Sequence, residues 1–422
     1  MRVADWDAII VGAGPAGSAL ACRLGTQRRV LLLERAALRV HGGRVAHGVR
    51  GDASPSSDAE VSPVIVAPFA GATSSLPTAS PFLPRIGESL PGAARVLLQR
   101  FGLLERFLAA GHVERGATVS HWDDGEPVWF DHLRDPSGPG WHLDRNRFDA
   151  DLREAAIAAG AVLVDGCGPW HATHADGVWQ IERQATAQIH RAPVLVDATG
   201  RNAAIARQLG IPRRVDDELI CLHAYLPPCA DDEDDCTRVC ADRNGWWYSV
   251  RVPSGQRVLA FHLDADDAEL HALRSLPNLL AKARQQVVLA DVLPVTLDVD
   301  VVVHARPAGS AMLDFVALAR TASGFFAIGD AGLSFDPIAS QGMFHALASA
   351  ESAAKVIAAT DIGTDAAEVR AAFLAEQSAV SAHYRRRLQG TYSGPSRYRG
   401  HRFWAMRRAA ESGTESGVAA SA

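Results

Sequence analysis

The sequence predicts an α/β fold in which a Rossmann-type nucleotide domain is interleaved with a β-rich second domain and followed by a helical C-terminus. Three observations carry that expectation. A strand, a glycine pattern, a helix, a second strand and an acid follow one another at the start of the chain. A buried-strand run near residue 195 leads into Asp-Ala-Thr-Gly-Arg, and another near residue 326 leads into Gly-Asp. Each puts small residues or a carboxylate at the end of a strand, where open parallel sheets gather their ligands.

The opening stretch reads "WDAIIVGAGPAGSALACRLGTQRRVLLLERAA". Ala8 to Val11 form a short buried strand, and Gly12, Gly14 and Gly17 complete a G-x-G-x-x-G before a helix rich in Ala and Leu. A second apolar strand, Val30 to Leu33, ends at Glu34, about 20 residues past the middle glycine, the spacing of the dinucleotide fingerprint. The first glycine permits the tight turn, the second lets pyrophosphate reach the backbone, and the third lets helix and strand pack closely. Further on, "LPGAARVLLQRFGLLERFLAAGH" is an amphipathic helical stretch, and "GATVSHWDDGEPVWF" is a hairpin turning at Asp124-Gly125. "NGWWYSVRVPSGQRVLAFHLDAD" is a second hairpin, turning at Pro253-Ser254-Gly255. "APVLVDATGRNAAIARQLG" supplies a strand at Val194 to Val196, then Asp197, Gly200 and Arg201. Last comes "IGDAGLSFDPIASQG", between the apolar run from Gly324 and the good helix former "MFHALASAESAAKVIAA". Free backbone N–H groups and the positive end of a helix dipole meet there, which suits an anionic or electron-rich ligand. A small-residue turn packed only for tightness is the alternative.

The three motifs in this order, with Asp-Pro shortly after Gly-Asp, resemble the FAD-dependent monooxygenases of the aromatic hydroxylase superfamily. The resemblance includes that family's halogenase-like and geranylgeranyl-reductase-like branches, and runs from residue 5 to about 360 with a looser central block. It implies an aromatic hydroxylase-like fold and FAD as a tightly bound, non-covalent cofactor. Glu34, with Arg35 beside it, falls at the adenosine ribose, and Gly12, Gly14, Pro15, Ala16 and Gly17 at the pyrophosphate. Gly329 and Asp330 fall at the ribityl chain, with Asp197 and Gly200 in the intermediate motif. Gly342 and Met343 point backbone N–H groups at the flavin pyrimidine edge, Pro337 lines the reactive face, and Arg145 matches a family arginine near the ring. The alternative for Arg145 is a plain ion pair with Asp149 or Asp151. NAD(P)H is the implied external reductant and dioxygen the implied co-substrate, with an electron-rich aromatic ring receiving the hydroxyl. Glu88 of "IGESLP" is the candidate pocket carboxylate; a helix-capping role for Ser89 and Glu88 competes with it. No triad emerges from the 16 histidines. His121, His142 and His345 are pocket candidates whose alternative is a structural role. Trp246, Trp247 and Tyr248 offer stacking surfaces, although alternation along a strand sends at least one into the core.

The composition agrees with an interleaved two-domain enzyme. The boundaries expected are 1–85, 145–215 and 305–360 for the FAD-binding domain, 86–144 and 216–304 for the substrate domain, and 361–422 for a helical segment and tail. Hydrophobic residues make up 48% of the 422, enough for a large core, and a net charge of −6 leaves no footprint for nucleic acid. No apolar run is long enough to span a bilayer, and the N-terminus enters its first strand at once, so a cytoplasmic protein is expected. Six cysteines without C-x-x-C pairs suggest neither a zinc site nor a disulfide framework. Those beside "CADDEDDC" read as free thiols, and no metal is expected. A Gly/Ser/Pro/Ala-rich insertion at 40–84, with an apolar Val61 to Phe69 stretch, is longer than relatives spend there; a functional lid and disorder are equally open.

Within the resemblance, the segments around "GWWYSVRVP" and "GFFAIGDAG" look most like the halogenase-like branch that includes flavoproteins of tryptophylquinone biogenesis. Those act on a tryptophan inside another polypeptide, so the partner expected is an aromatic substrate, with a peptidyl tryptophan as the specific candidate. A free aromatic metabolite, prenyl reduction and halogenation are the alternatives. Against halogenation, Pro253 falls later after Trp246 than the halogenase motif asks, and Val250 stands where a second tryptophan belongs. No lysine precedes Lys282, so the lysine that would carry or activate hypohalous acid after "GESLP" is missing. A non-enzymatic flavin-fold binding protein would be expected to lose the flavin-facing motifs, which are present.

Overall fold

A computed structural model of the chain describes residues 4–38, 85–166, 168–183, 188–295, 297, 299–359 and 366–415. The 40–84 insertion lies outside them. The apolar runs form a five-stranded sheet in the order Phe325–Ala327, Val194–Asp197, Ala8–Val11, Val30–Leu33, Val162–Val164, with every neighbour parallel. The first four of these are buried throughout, as strands covered on both faces must be. The covering helices are Pro15–Gly25, Arg145–Ala158 and Gly342–Ala359. Register then aligns the motifs. Val11 pairs with both Leu33 and Asp197, and Asp197 with Ala327. Asp197 therefore ends the last paired row with Val11, Leu33 and Ala327, and Gly12, Glu34 and Ile328-Gly329 follow directly at the carboxyl edge of the sheet.

The second domain is a seven-stranded sheet ordered His304–Pro307, Leu219–Leu226, Arg257–Asp264, Gly245–Arg251, Thr237–Asp242, Ala117–His121, Val128–Asp131. Both predicted hairpins lie within it. One face sends Leu222, Ala224, Trp247, Leu259, Phe261 and Leu263 into a core shared with Leu279, Leu280 and Ala283 of the Leu276–Ala283 helix. The opposite face carries Cys221, His223, Tyr225, Trp246, Tyr248 and His262. It packs against Ile86, Ile338 and, from the C-terminal helices Ala366–Tyr392 and Arg402–Glu415, Tyr392, Phe403 and Trp404. Trp246 and Trp247 are both buried, on opposite faces.

Two expectations change. The amphipathic stretch after "IGESLP" is two helices, Ala94–Arg100 and Leu104–Ala109, broken where Gly102 takes φ +70°. Ser89 and Glu88 cap nothing: Ser89–Leu90 is a strand, and the helix begins at Ala94 without a side-chain cap. Two acids of the loop are held by arginines of the neighbouring strands. Arg257 grips Asp232 with Nε and Nη2 at 2.7 and 2.6 Å, and Asp234 bonds both Arg238 and Arg257. The five described cysteines are free thiols.

Candidate active site

The glycines at the carboxyl edge have separate physical reasons. Gly12 sits at φ +110°, and a Cβ there would come within 2.2 Å of the Ala198 carbonyl oxygen. Gly17 packs so closely that a Cβ would stand 1.9 Å from the Gly12 carbonyl oxygen. Gly14 differs from both: a Cβ added to it meets no protein atom within 4 Å. It is the N-cap of Pro15–Gly25, gives the helix no side-chain cap, and no acid occupies the first turn. With Pro15 at the start and Ala16 buried behind it, the free amides of this terminus face open space suited to an anion. Glu34 braces the turn, its Oε2 accepting from Ala13 N at 2.9 Å and Oε1 from Ala36 N at 3.1 Å, with exposed Arg35 beside it. A second helix terminus repeats the pattern at Gly342, where a Cβ again meets nothing and no acid stands in the first turn. Met343 follows, buried. These residues fit a dinucleotide carrying an electron-poor ring, a cradle that a side chain at Gly14 or Gly342 would fill.

Between the two helix ends, Asp330 ends the Phe325–Ala327 crossing. Gly329, at φ +56°, packs on Ala16. A third of the Asp330 side chain is exposed, and Arg201 Nε lies 3.4 Å from its Oδ2. Desolvation raises its pKa against the pull of Arg201, Arg213 and Arg145. Arg201 also donates to the carbonyls of Gly309 and Phe335, both at 2.6 Å, tying the Asp-Ala-Thr-Gly-Arg motif to the strand before Asp336-Pro337. Gly200, at φ +69°, opens that turn. Asp197 has an internal use: its carboxylate accepts from Thr199, Ile205 and Ala206 backbone N–H groups, fully buried, and holds the start of the Ala204–Gln208 helix. This occupies both of its oxygens, so its place in the motif is to build the turn.

Arg145 makes the ion pair with Asp149 that was its alternative role, at 3.1 and 3.2 Å, and also donates to the carbonyls of Ile86 and Gly87. Gly87, at φ +109°, lets the guanidinium approach; a Cβ there would lie 2.8 Å from Nη1. The turn presents Glu88 beneath the substrate-domain sheet, 2% exposed, its Oε1 accepting from Tyr225 Oη at 2.6 Å and its Oε2 from Gly87 N at 3.0 Å. Burial pushes the Glu88 carboxyl up, opposed by these hydrogen bonds and by Arg145. Ser89 Oγ and Tyr248 Oη meet at 3.4 Å. Around them the sheet face holds two neutral histidines, because burial lowers His223 to about 4 and His262 to about 3. His262 stacks flat on Trp246, ring centroids 3.7 Å apart. Of the other histidines, His142 is buried against Thr237 at 3.0 Å, His345 is buried beside Phe335, and His121 lies at the end of Ala117–His121.

Pro337 opens a short turn capped by Asp336, which leads to Ser340 at φ +49°. Sequence reasoning passed over Asp336, which is a buried hub. Its carboxylate accepts from Tyr392 Oη at 2.5 Å and Ile338 N at 2.9 Å, and its own N–H donates to Tyr384 Oη at 2.8 Å. Tyr392 in turn accepts from Trp246 Nε1 at 3.1 Å. Burial and the Asp217 charge push Asp336 up to about 6. The Asp-Pro dipeptide was the available signal for this residue. Nothing local signalled its two tyrosine partners, which come from the C-terminal helix.

Comparison with known proteins bears on this geometry. The model of the family described as "Tryptophan halogenase" matches residues 130–417. The chain is 24% identical over 413 residues to LodB of Marinomonas mediterranea, assigned as an FAD-dependent oxidoreductase, covering 96% of this chain and 97% of that protein. Among solved structures, the flavin-dependent halogenase CmlS superposes with a TM-score of 0.72 at 21% identity, covering 96% of this chain and 68% of that one. The peptidyl tryptophan dihydroxylase QhpG, essential for tryptophylquinone cofactor biogenesis, superposes with a TM-score of 0.68 at 20% identity, covering 96% of this chain and 79% of that one. These likenesses confirm the α/β flavoprotein fold. With its family match extending over more than half of its length, the chain belongs to the tryptophan halogenase family, and it is an FAD-dependent enzyme of the flavoprotein oxidoreductase kind.

Proposed function

We propose that this flavoprotein is a monooxygenase, using NAD(P)H and dioxygen to hydroxylate an electron-rich aromatic ring, and that the ring is a tryptophan held in a polypeptide. The observation that carries oxygen insertion over halogen insertion is the position of the only two lysines. Lys282 is bound to Asp242 and Glu269 and sits over the Phe261 ring, on the sheet face away from Glu88. Lys355 lies on the Gly342–Ala359 helix, 3.8 Å from Glu351. No amine is available beside Glu88 to carry an activated halogen. The polypeptide substrate is supported by the fold shared with QhpG.

In this reading the Gly12–Gly17 turn and Glu34 hold the ADP half of FAD, Asp330 its ribityl chain, and the Gly342 and Met343 amides its pyrimidine edge, where negative charge gathers on reduction. Bound FAD supplies the oxygen-activating chemistry once reduced. The chain's own groups orient the ring and keep water out, with Pro337 at the reactive face and Glu88, held by Tyr225, as the one pocket carboxylate. Turnover with NAD(P)H in chloride and bromide buffers, followed by product mass, tests the proposal. A gain of oxygen is expected; a gain of halogen overturns it.

A further inference from the structure

The seven-stranded sheet ends on an unusual edge. Among the described residues Val128–Asp131 pairs on one side only, with Ala117–His121, and its sequence is Val-Trp-Phe-Asp. Val128, Trp129 and Phe130 are 66%, 63% and 54% exposed, and Leu133 just beyond is 77% exposed. An edge strand offers unpaired N–H and C=O groups to any extended chain, and soluble proteins commonly guard such edges with charge. Here the three central side chains are large and apolar. Summed over both faces of the strand and with Leu133, they present roughly 400–500 Å² of apolar surface, about the size of the largest apolar patch on an ordinary monomer.

The edge is continuous with the candidate active site. Val128 pairs with Ser120, Ser120 with Val239, Val239 with Tyr248, Tyr248 with Ala260, and Ala260 with His223. Residues directly opposite one another across strands share a face. Val128, and Phe130 two residues on, therefore point to the same side of the sheet as Tyr248 and His223. Tyr248 is three strands from Val128, about 14 Å at ordinary strand spacing, within reach of a few residues of extended chain.

Two features choose between occupants. A stable dimer needs about 800 Å² from each partner, more than this strip supplies. Asp123, Asp124, Glu126, Asp131 and Asp135 surround the strand, with Arg134 as the only arginine or lysine between residues 123 and 135. A second copy would bring acidic flanks together; a chain with basic flanks would be attracted.

We infer that the Val128–Asp131 edge docks the polypeptide substrate, as an added β-strand with alternating apolar side chains and Lys/Arg flanks, and delivers its tryptophan along this sheet face to the site at Tyr248. The inference rests on the polypeptide reading above. Main-chain hydrogen bonds would give affinity, and Trp129 and Phe130 would grip alternate side chains.

The probe is a fluorescein-labelled 16-residue peptide of alternating Val and Thr with one central Trp and two Lys at each end, and a twin with Asp in place of Lys. Binding is read by anisotropy and oxygen insertion by mass, in wild type and in Trp129→Lys and Phe130→Lys, both exposed positions where folding should persist. Expected is binding of the Lys-flanked peptide, weaker binding of the Asp-flanked twin, and a rise in Kd of roughly tenfold or more in each variant, with FAD content and NAD(P)H oxidation unchanged. Equal binding or equal peptide oxygenation by variants and wild type overturns the docking inference and leaves the polypeptide reading standing. Edge-dependent binding without oxygenation supports the docking surface while the polypeptide reading fails. No binding by wild type overturns the inference outright.

Discussion

Gly14→Val separates a cofactor cradle from a folding requirement. At Gly14 φ is −77° and ψ −175°, a conformation open to any residue, and a Cβ meets no protein atom within 4 Å. The apo-protein should therefore still fold, losing no more than about 1 kcal/mol for a branched residue at a helix N-cap. FAD binding should suffer heavily. A branched side chain at the helix N-terminus displaces the pyrophosphate from amide donors worth about 1.5–3 kcal/mol each to a charged acceptor. Losing two gives about 3–6 kcal/mol, or about 10²- to 10⁴-fold in Kd. Gly12→Ala is the control, since its Cβ would collide with the Ala198 carbonyl at φ +110°, destabilising the fold by about 1–3 kcal/mol with or without cofactor. Apo-protein melting and titration of flavin fluorescence read the two effects separately. Wild-type FAD affinity in Gly14→Val, or an apo-protein weakened as much as Gly12→Ala, would refute the reasoning.

Two further outcomes follow from the buried groups. Asp336, at about 6 in the folded protein against an ordinary 3.8, binds its proton more tightly folded than unfolded. Its contribution is thus most favourable below pH 4 and is lost as pH rises through 6, by about 3 kcal/mol; Asp336→Asn should remove that part of the stability–pH curve in denaturant titrations, and an unchanged curve would sink the assignment. Gly87→Ala should push the Arg145 guanidinium off the Ile86 and Gly87 carbonyls at a cost of about 1–3 kcal/mol, and a melting temperature equal to wild type would show that the contact is dispensable.

The nucleotide half of the fold was legible because its signals are local. Four apolar runs, each closed by a glycine or an acid, suffice to fix a parallel sheet whose register gathers Gly12, Glu34 and Gly329 at one edge. The active-site wall was less legible, since it is made by pairs far apart in sequence. Glu88 and Tyr225 are 137 residues apart, and Trp246 and Tyr392 are 146 apart. Neither tyrosine carries a local mark. Asp197 misled for a related reason: a carboxylate at a strand end serves a ligand or a helix start equally well, and only the positions of the Ile205 and Ala206 amides decide. Glu88 shows the same ambiguity resolved the other way, because the chain after it extends into a strand and leaves the carboxylate to Tyr225.

Charge is divided across the candidate site, and the division makes a last prediction. On the nucleotide side Arg201 lies 3.4 Å from Asp330, and the positive charges of Arg201, Arg213 and Arg145 act on its carboxylate, which suits an anionic cofactor. The sheet side opposite holds His223 at about 4 and His262 at about 3, both neutral at physiological pH, with Tyr225 and Tyr248 kept protonated by burial. A neutral pair of histidines suits a neutral, electron-rich ring, and the Glu88 carboxyl beneath them is itself pushed up by burial. Binding of indole to the FAD-loaded enzyme, measured by calorimetry between pH 5 and 8, should therefore show no titration of His223 or His262. A pH dependence contributed by the buried carboxyl should vanish in Glu88→Gln, which keeps an acceptor for Tyr225. A transition that persists in Glu88→Gln and disappears in His223→Gln would mean that the wall carries charge after all, and an anionic substrate would then fit it better than a tryptophan side chain.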